Sequence, residues 1–532
     1  MKQLDPTLAV ATRQRRTGRR HPPLLWLAIA AVSLMPRVVE ACTASSDSDR
    51  VVLGSLAFAI ECVAAMTLVG AVASRRFGLT VFRLGPWYVL WTSVSFGLVT
   101  IAWRHPPADA FSGITLVGVS RALTVASLAV PLWACGYLLG PGRGMVNAAT
   151  RFIASAVPGG GVGLRNKSVP WVLCGVSIVA RVVEIALGHY AYLGDASQVV
   201  AGSTPYAQPL SLLGECGLSA LLIAAVDLVR HEDGRRWLVF IALLSVEVSF
   251  AVVSGMKGIF VTTIGGVCIT FAIGRGRMPT GSIVAGIAVL IFMIMPYNAS
   301  YRSLARGQGW ALTPRDAVAM APTVLNDTLS GENTAGAEGG AEESRLGYLT
   351  SRTRAIDSLA IVVQMTPDAV PYRHVDEILL APVLSIIPRA VWPDKPIATT
   401  GYDFGQQYMS QNSAIYSASA ISPLADLYRY GGLIAVLVGM GLLGAGHRLI
   451  DEAWSPIKDL SYVVIFVPLF FSMVMSEEGV RDMLASLLVR LIVLFLVMRF
   501  AYGGSRSRRL RGSTDLDLRE CGDADFPAPA TA

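Results

Sequence analysis

Charge is scarce in this sequence. Asp, Glu, Lys and Arg make up 15% of its 532 residues, whereas 53% are hydrophobic and the mean hydropathy is +0.53. A soluble globular domain usually contains about 25% charged residues. Because apolar runs are also distributed along most of the chain, the composition excludes an ordinary soluble domain and predicts a membrane protein.

Cysteine and histidine are few as well. The chain has seven cysteines and six histidines, and no pair of cysteines has the spacing of a metal site or a disulfide framework. The spacing of His, Asp and Glu does not indicate a metal site either. We therefore expect no metal and no cofactor, and we expect protein cations to neutralise any anionic substrate.

The net charge of +7 does not indicate nucleic-acid binding. The basic residues lie in short loops and tails between apolar runs, and no recognised nucleic-acid module accompanies them. Retention of Lys and Arg on the cytoplasmic side of a membrane explains this distribution better.

Apolar runs of about 20 residues predict about twelve transmembrane helices. The first run ends before Pro36 and Arg37, so a cleaved signal sequence is an alternative there. The predicted spans lie near residues 24–42, 51–74, 80–103, 112–140, 169–193, 209–229, 237–254, 258–274, 280–297, 431–446, 460–476 and 484–502.

Loop charges predict the topology. Basic residues gather in both tails and in alternate loops, and acidic residues dominate the loops between them. We therefore expect a bacterial plasma-membrane protein with both termini in the cytoplasm. Its predicted parts are a disordered tail (1–21), a nine-span bundle (22–297), a large outward segment (298–430), a three-span bundle (431–503) and a second disordered tail (504–532).

Two predicted spans share a charged pattern. Residues 175–185 resemble 31–41, and each stretch carries an Arg and a Glu three residues apart, which a helix places on one face. A duplicated unit lining a cavity and a coincidental packing pair are both open interpretations of Arg181 and Glu184. Other ionisable side chains in or near spans should face the bundle interior or water: Glu61, Arg121, Glu215, Asp227, Glu247 and Arg490.

The outward segment contains one helical pattern, at 346–365. Leu349, Ile356, Leu359 and Val363 fall along one side of it, which predicts an interfacial helix lying on the outer leaflet. A helix packed on the segment's own core is the alternative.

A proline-braced run follows, reading Ser-Ile-Ile-Pro-Arg-Ala-Val-Trp-Pro-Asp-Lys-Pro over residues 385–396. Prolines fix φ and restrict the residues before them, so this run should form a stiff loop that presents its charged groups. Arg and Lys in a loop beside a bilayer suit a phosphate-bearing lipid substrate.

About 30 residues later the chain reads Ser-Pro-Leu-Ala-Asp-Leu-Tyr-Arg-Tyr-Gly-Gly, at 422–432. Together the two runs resemble the oligosaccharide repeat-unit polymerases, the Wzy-type O-antigen polymerases of bacterial envelopes. The specific resemblance covers about 250–435. That family more often has a Gly-Glu or similar pair where this chain has Ala425 and Asp426, so the acid is kept but shortened.

The resemblance implies an all-α, GT-C-like membrane glycosyltransferase with one large outward loop that contains short helices. Such an enzyme transfers a polyprenyl-diphosphate-linked oligosaccharide donor to a lipid-linked acceptor at the outer face. A chain-length regulator and a flippase are candidate partners besides the bilayer. An O-antigen-ligase-like transferase and a lipid-linked glycan transporter or flippase are the alternative functions.

The chemistry requires positive charge for the departing diphosphate. Lys257 lies in a tight glycine turn whose amides suit an anion-binding nest, with an ordinary turn and a snorkelling lysine as the alternative. For the proline-braced run the alternative is an ion pair with Asp394 that only locks the loop, and for Arg302 it is interfacial anchoring. The diphosphate-binding candidates are Arg389, Lys395, Arg302 and Lys257.

The acceptor hydroxyl requires a general base. Asp426 precedes a span, where partial desolvation suits a base, although an acid favoured by the helix dipole is the alternative. Asp394 is better suited to orienting neighbouring groups than to acting as the base. If His374 were the base, a ligase-type enzyme would be favoured. The catalytic candidates are Asp426, Asp394 and Glu478, and the secondary candidates are Arg306, Arg354, Asp357, Arg481, Trp392 and Tyr428.

Overall fold

The computed structural model describes most of the chain between residues 42 and 502. The described ranges are 42–77, 82–101, 110–140, 144–148, 164–191, 206–231, 233–276, 280–298, 353–389, 400–409, 419–474 and 477–502, with shorter pieces between them. Over these residues the protein is helical. A two-residue antiparallel bridge pairs β1 (Gly194–Asp195) with β2 (Ala311–Leu312).

Fifteen α-helices of eight residues or more lie in the described ranges. They are α1 (Asp47–Phe77), α2 (Leu84–Thr92), α3 (Leu116–Leu139), α4 (Val169–Ala186), α5 (Ala207–Gly214), α6 (Cys216–Arg230), α7 (Gly234–Ser254), α8 (Lys257–Arg275), α9 (Thr280–Val289), α10 (Ile356–Met365), α11 (Asp376–Ile386), α12 (Thr400–Met409), α13 (Pro423–Ala453), α14 (Val463–Val474) and α15 (Val480–Tyr502). A π turn and a 3-10 turn continue α2 to Thr100, and a π turn continues α9 to Ile294.

The protein is a membrane protein. Within the described residues, eight helical stretches are long and apolar enough to cross a bilayer: α1, α3, α4, α5 with α6, α7, α8, α13 and α15. Large apolar side chains stand on their outer faces, such as Leu238 at 70% and Ile434 at 76% exposure. A belt of this kind is unfavourable in water and is satisfied by lipid.

The remaining predicted spans are shorter or interrupted. Residues 84–100 and 280–298 are helical with π turns, and α14 has twelve residues after a 3-10 turn. The span near 24–42 and both tails lie largely or wholly outside the described residues. The number of about twelve spans therefore stays a prediction.

Helix α13 lies at the centre of one half of the bundle. Its closest neighbour there is α3. A Cβ on Gly136 would meet the carbonyl oxygen of Gly441, and a Cβ on Gly444 would meet that of Trp133. Small residues allow the two backbones to approach this closely, which increases dispersion contacts where lipid removes the hydrophobic drive between helices. Helices α1, α2 and α10 complete this half.

A buried carboxylate ties the far end of α13 to its neighbours. Asp451 accepts hydrogen bonds from the backbone amides of Leu84 (2.7 Å) and Gly85 (3.2 Å) and from the Tyr137 hydroxyl (2.7 Å). It therefore satisfies free amides at the start of α2, where the helix dipole favours an acid. Helices α4 to α8 form the other half, and α14 and α15 pack between the two.

The bundle has two ends. At the Asp426 end, Lys257 Nζ lies 2.7 Å from Glu477 Oε1 and the amide of Ile421 donates to the Glu477 carbonyl, so the starts of α8, α13 and α15 meet. At the Asp459 end, Arg230 pairs with Asp459 at 3.0 Å. The positive-inside rule predicts that the Asp426 end faces outward.

The interfacial-helix prediction for 346–365 is wrong in the part that the structure describes. Helix α10 packs on α3 and α13, and all its residues from Ile356 to Val362 are buried. It also contacts the outward segment, at Ser422 and α12, so only the placement on the outer leaflet is wrong. The reason is that Ala360, Ile361 and Val362 make the helix apolar on its other sides as well, and a helix that is apolar all round is buried.

The glycine contact between α3 and α13 predicts a matched pair of stabilities. Gly444→Ala should destabilise the protein by about 1–3 kcal/mol, because the added methyl group overlaps the Trp133 carbonyl. Gly446→Ala, with open space around it on the same helix, should be neutral or slightly stabilising. Thermal unfolding in detergent measures both. Equal midpoints for the two variants would contradict the close contact.

Candidate functional site

The first turn of α13 is held by caps from two elements. Ser422 Oγ accepts a hydrogen bond from the Ala425 amide, and Pro423 occupies the first helical position, where its missing N–H costs no hydrogen bond. Ser358 of α10 in turn donates to Ser422 Oγ at 3.0 Å. This turn carries Asp426.

A break in α13 isolates that turn from the rest of the span. Gly432 has φ +60° and ψ −146°, a conformation essentially restricted to glycine, and a Cβ there would lie 2.7 Å from the Tyr372 hydroxyl. The backbone amide of Arg373 donates to the Arg429 carbonyl at 2.8 Å. A carbonyl group freed near the break therefore has a hydrogen-bond partner in a neighbouring segment. Irregular backbone at membrane depth requires such partners.

Asp426 is completely buried. Its Oδ1 lies 3.4 Å from Arg429 Nη1, and its Oδ2 accepts a hydrogen bond from the Arg481 amide at 3.4 Å. Gly479 permits this approach, since a Cβ there would lie 2.5 Å from Asp426 Oδ2. The starts of α13 and α15 thus converge on one carboxylate.

Arg429 is also completely buried, and its side chain contacts residues of α12. Its Nη2 donates to Gln407 Oε1 at 3.3 Å, and its guanidinium lies 5.5 Å from the Tyr408 ring centre and 5.9 Å from that of Phe404. Aromatic faces stabilise a desolvated cation electrostatically. Arg429 is therefore held mainly by rings on two sides and one carboxylate on the third.

A second layer of charges surrounds this pair. Arg373 donates to Glu377 Oε2 at 2.8 Å and to Asp403 Oδ2 at 3.2 Å, and Arg481 Nη1 lies 3.7 Å from Glu377. We call the six residues the Asp426 cluster: Asp426, Arg429, Arg373, Glu377, Asp403 and Arg481. Its three carboxylates and three guanidinium groups come from α11, α12, α13, α15 and the segment before α11.

Several buried polar atoms in this region lack a hydrogen-bond partner among the described residues, and three of them are nitrogen or hydroxyl donors in Arg429, next to it in the sequence or on α12. They are Arg429 Nε, the Tyr430 hydroxyl and Gln406 Nε2. Leaving a buried donor unsatisfied costs about 1–3 kcal/mol, so native proteins rarely do so without a reason. Each of these atoms can donate to a ligand oxygen.

Glu478 lies in the loop before α15, and the charged groups that act on it are Arg490, Asp482, Glu215 and Glu477. Burial raises the pKa of its carboxyl, although Arg490 acts in the opposite direction. A carboxyl with a raised pKa suits proton transfer near neutral pH better than an ordinary Glu. Glu478 thus remains a candidate base in addition to Asp426.

The anion nest at Lys257 stays a prediction, and two amides of its turn already have partners. The Gly255 amide already donates to the Val252 carbonyl, and the Met256 amide donates to Ser254 Oγ. Lys257 itself begins α8 and pairs with Glu477. It therefore links α8 to the loop before α15.

Arg389 and Lys395 lie together but away from the Asp426 cluster. Burial, and then the nearby Arg389 charge, lower the pKa of Lys395, and its Nζ donates to the Ile387 carbonyl at 2.9 Å. The first two residues of the proline-braced run, Ser385 and Ile386, are the last residues of α11, and the run leaves the helix after Ile386. Helix α11, about 16 Å long, separates Arg389 from Glu377. Trp392 is partly exposed beside it.

The other predicted site residues lie apart or cannot be described. Arg354 and Asp357 form a buried ion pair at 2.8 Å, with Arg354 also over the Trp103 ring, and so they fix the start of α10. Tyr428 is partly buried and His374 is exposed. Arg302, Arg306 and Asp394 lie outside the described residues.

The charges inside the spans pair between helices. Local pairing of Arg181 with Glu184 is wrong, because both Arg181 Nη atoms donate to Glu247 of α7 at 2.9 and 3.0 Å. Arg490 pairs with Glu215 at 2.8 Å. The prediction that Glu61 and Glu247 face the bundle interior is confirmed, since each is 2% exposed.

Four residues of the Asp426 cluster were missed by the sequence analysis: Arg373, Glu377, Asp403 and Arg429. Two signals were available. Asp426 and Arg429 are three residues apart, and Arg373 and Glu377 are four apart, which are the spacings of helix ion pairs. Asp403 carries no such signal, because its partner comes from another element.

Residues 182–501 match the family described as Domain of unknown function (DUF8712). The protein belongs to the DUF8712 family. The matched region contains the whole Asp426 cluster and α11. It also contains the Arg490–Glu215 ion pair and Glu247, whereas Arg181, the partner of Glu247, lies one residue before it. No curated protein sequence matches the chain, and neither does any solved structure.

The pairing of Asp426 with Arg429 predicts strong coupling between the two. Arg429→Met should destabilise the protein by about 3–5 kcal/mol, because it leaves a buried carboxylate uncompensated. Adding Asp426→Asn should recover part of that loss. A double-mutant cycle by thermal unfolding in detergent measures the coupling. Strictly additive losses would show that the two side chains do not interact.

Proposed function

We propose that this protein is a bacterial membrane glycosyltransferase that polymerises lipid-diphosphate-linked oligosaccharide repeat units at the outer face of the plasma membrane. The observation that carries the proposal is a buried carboxylate, Asp426, among three arginines at one end of a membrane bundle. The proposal includes about twelve spans in a GT-C-like arrangement, both termini in the cytoplasm and a polyprenyl diphosphate on each substrate.

The Asp426 cluster has the groups that glycosyl transfer requires. A carboxylate accepts the proton of the acceptor hydroxyl, and guanidinium groups stabilise the negative charge that develops on the departing diphosphate. Asp426 or Glu478 is the base, and Arg373, Arg429 and Arg481 supply the charge. The donors of Tyr430 and Gln406, which have no partner in the described part of the chain, then bind sugar oxygens.

Arg389 and Lys395 support a polymerase rather than a ligase. They lie at the other end of α11, too far from Asp426 to hold the diphosphate that leaves there. We assign them to the diphosphate of the acceptor, whose oligosaccharide bridges the distance to the base. A polymerase has two lipid-diphosphate substrates, whereas a ligase needs only one such site.

A lipid-linked glycan transporter is the second candidate. The Arg181–Glu247 pair inside the spans and the break of α13 at Gly432 favour it, because transporters use buried charges and broken helices near their substrate sites. Deleting the gene separates the candidates. Accumulated single lipid-linked repeats indicate a polymerase, unattached polymer indicates a ligase, and repeats trapped inside the cell indicate a transporter.

Substitutions test the two proposed sites. Asp426→Asn should lower polymer formation about 100-fold or more, as expected for loss of a general base. Arg389→Ala and Lys395→Ala should abolish elongation while the protein stays inserted at normal levels. Asp368→Asn, an exposed change in the same segment, is the control. Surface-glycan gels and immunoblots measure these outcomes. Full-length polymer from both cation variants would exclude the Arg389 site.

The topology has its own test. A periplasm-active reporter fused after Arg389 should be active, and the same reporter fused after Asp459 should be inactive, because these positions lie at opposite ends of the bundle. A reporter active only in the cytoplasm, used at the same two positions, is the control. Activity of the periplasmic reporter at Asp459 alone would reverse the orientation and the proposed function with it.

A further inference from the structure

Helix α11 exposes an apolar face. Leu379 is 71% exposed and Val383 58%, and Leu380 and Ile386 are exposed beside them. These positions recur at the spacing of one helix face. The face is therefore continuous along the helix and is not a set of scattered residues.

The opposite face of α11 packs on a membrane span. Ile378, Ala381 and Ser385 are buried, and the helix lies against α15. Helix α15 is itself apolar enough to cross a bilayer, and it exposes Ile492 and Leu496. The apolar face of α11 thus adjoins the lipid-facing surface of α15.

The length and charge of α11 exclude a full crossing. Residues 378–388 carry no charge, and a helix of this length spans about 16 Å, whereas a bilayer core is about 30 Å thick. Charged groups stand at both ends: Glu377, paired with Arg373, precedes the run and Arg389 follows it. Both ends therefore belong at the level of the lipid head groups.

The residues after α11 have the character of a membrane interface. Val391 is 75% exposed, and Trp392 is partly exposed next to Arg389 and Lys395. Trp, Arg and Lys are enriched where acyl chains meet head groups, and cations there attract anionic lipid. The same short stretch thus offers apolar contact and positive charge.

We propose that α11 lies in the plane of one membrane leaflet at the Asp426 end. Its face of Leu379, Leu380, Val383 and Ile386 contacts phospholipid acyl chains, and Arg389 and Lys395 contact phospholipid phosphates until the diphosphate of an acceptor displaces them. The outward segment is then anchored in the bilayer by α11, in place of the interfacial helix expected at 346–365. The proposal does not depend on the catalytic activity.

The test uses the intact wild-type protein. The purified chain is reconstituted in vesicles of phosphatidylethanolamine and phosphatidylglycerol that contain a trace of phospholipid with a photoreactive diazirine in its acyl chain. After illumination, adducts are mapped by mass spectrometry. Leu379 and Val383 should be labelled within about twofold of Leu496, and roughly tenfold above Asp368, a charged residue in an exposed turn.

Two outcomes would overturn the proposal. Adducts at Leu496 but none on α11 would place the helix in water or beneath a second copy of the chain. Equal adduct yields on α11 and on Asp368 would show that α11 contacts acyl chains no more than an exposed turn does, and anchoring by α11 would be wrong.

A second measurement identifies the contribution of the cations. In the Arg389→Gln, Lys395→Gln double variant, adduct yield at Ile386 should fall several-fold relative to Leu379, because the end of α11 loses its attraction to the phosphates. Replacing phosphatidylglycerol by phosphatidylcholine in the wild type should produce a smaller change in the same direction. An unchanged Ile386 to Leu379 ratio in both would exclude the phosphate contact.

Discussion

Burial of Asp426 is the constraint on which the Asp426 end depends. A carboxylate with no exposure needs compensating charge and hydrogen bonds, and it receives them from Arg429 and from the Arg481 amide. Arg429 then needs its own surroundings, which Phe404 and Tyr408 of α12 provide. One buried charge thus determines how three helices, α12, α13 and α15, meet.

Helix α13 combines three roles along its length. Its first turn holds Asp426, its glycine break exposes the Arg429 carbonyl to Arg373, and its later glycines seat the helix against α3. Near its end, Asp451 satisfies the free amides of α2. A displacement of α13 would therefore disturb contacts both in the Asp426 cluster and at the opposite end of the bundle.

The apolar periodicity predicted most helices well, because a span must satisfy its backbone internally and needs about 20 apolar residues wherever it lies. The predictions failed in the outward segment. Helix α10 was expected at the interface but is buried, and α11, whose last residues open the proline-braced run, carries the exposed apolar face. The pattern of apolar residues shows which helix faces avoid water. It does not show whether such a face contacts lipid or another part of the protein.

The sequence by itself determined that this is a helical membrane protein and that Asp426 lies at the start of a span. The tertiary structure alone decided which charges are partners: Arg481 with Glu377, Arg373 with Asp403, and Arg181 with Glu247. Local pairs follow helix spacing, but these partners lie on separate elements. Their meeting depends on how the helices pack, and packing is set by contacts between residues far apart in the chain.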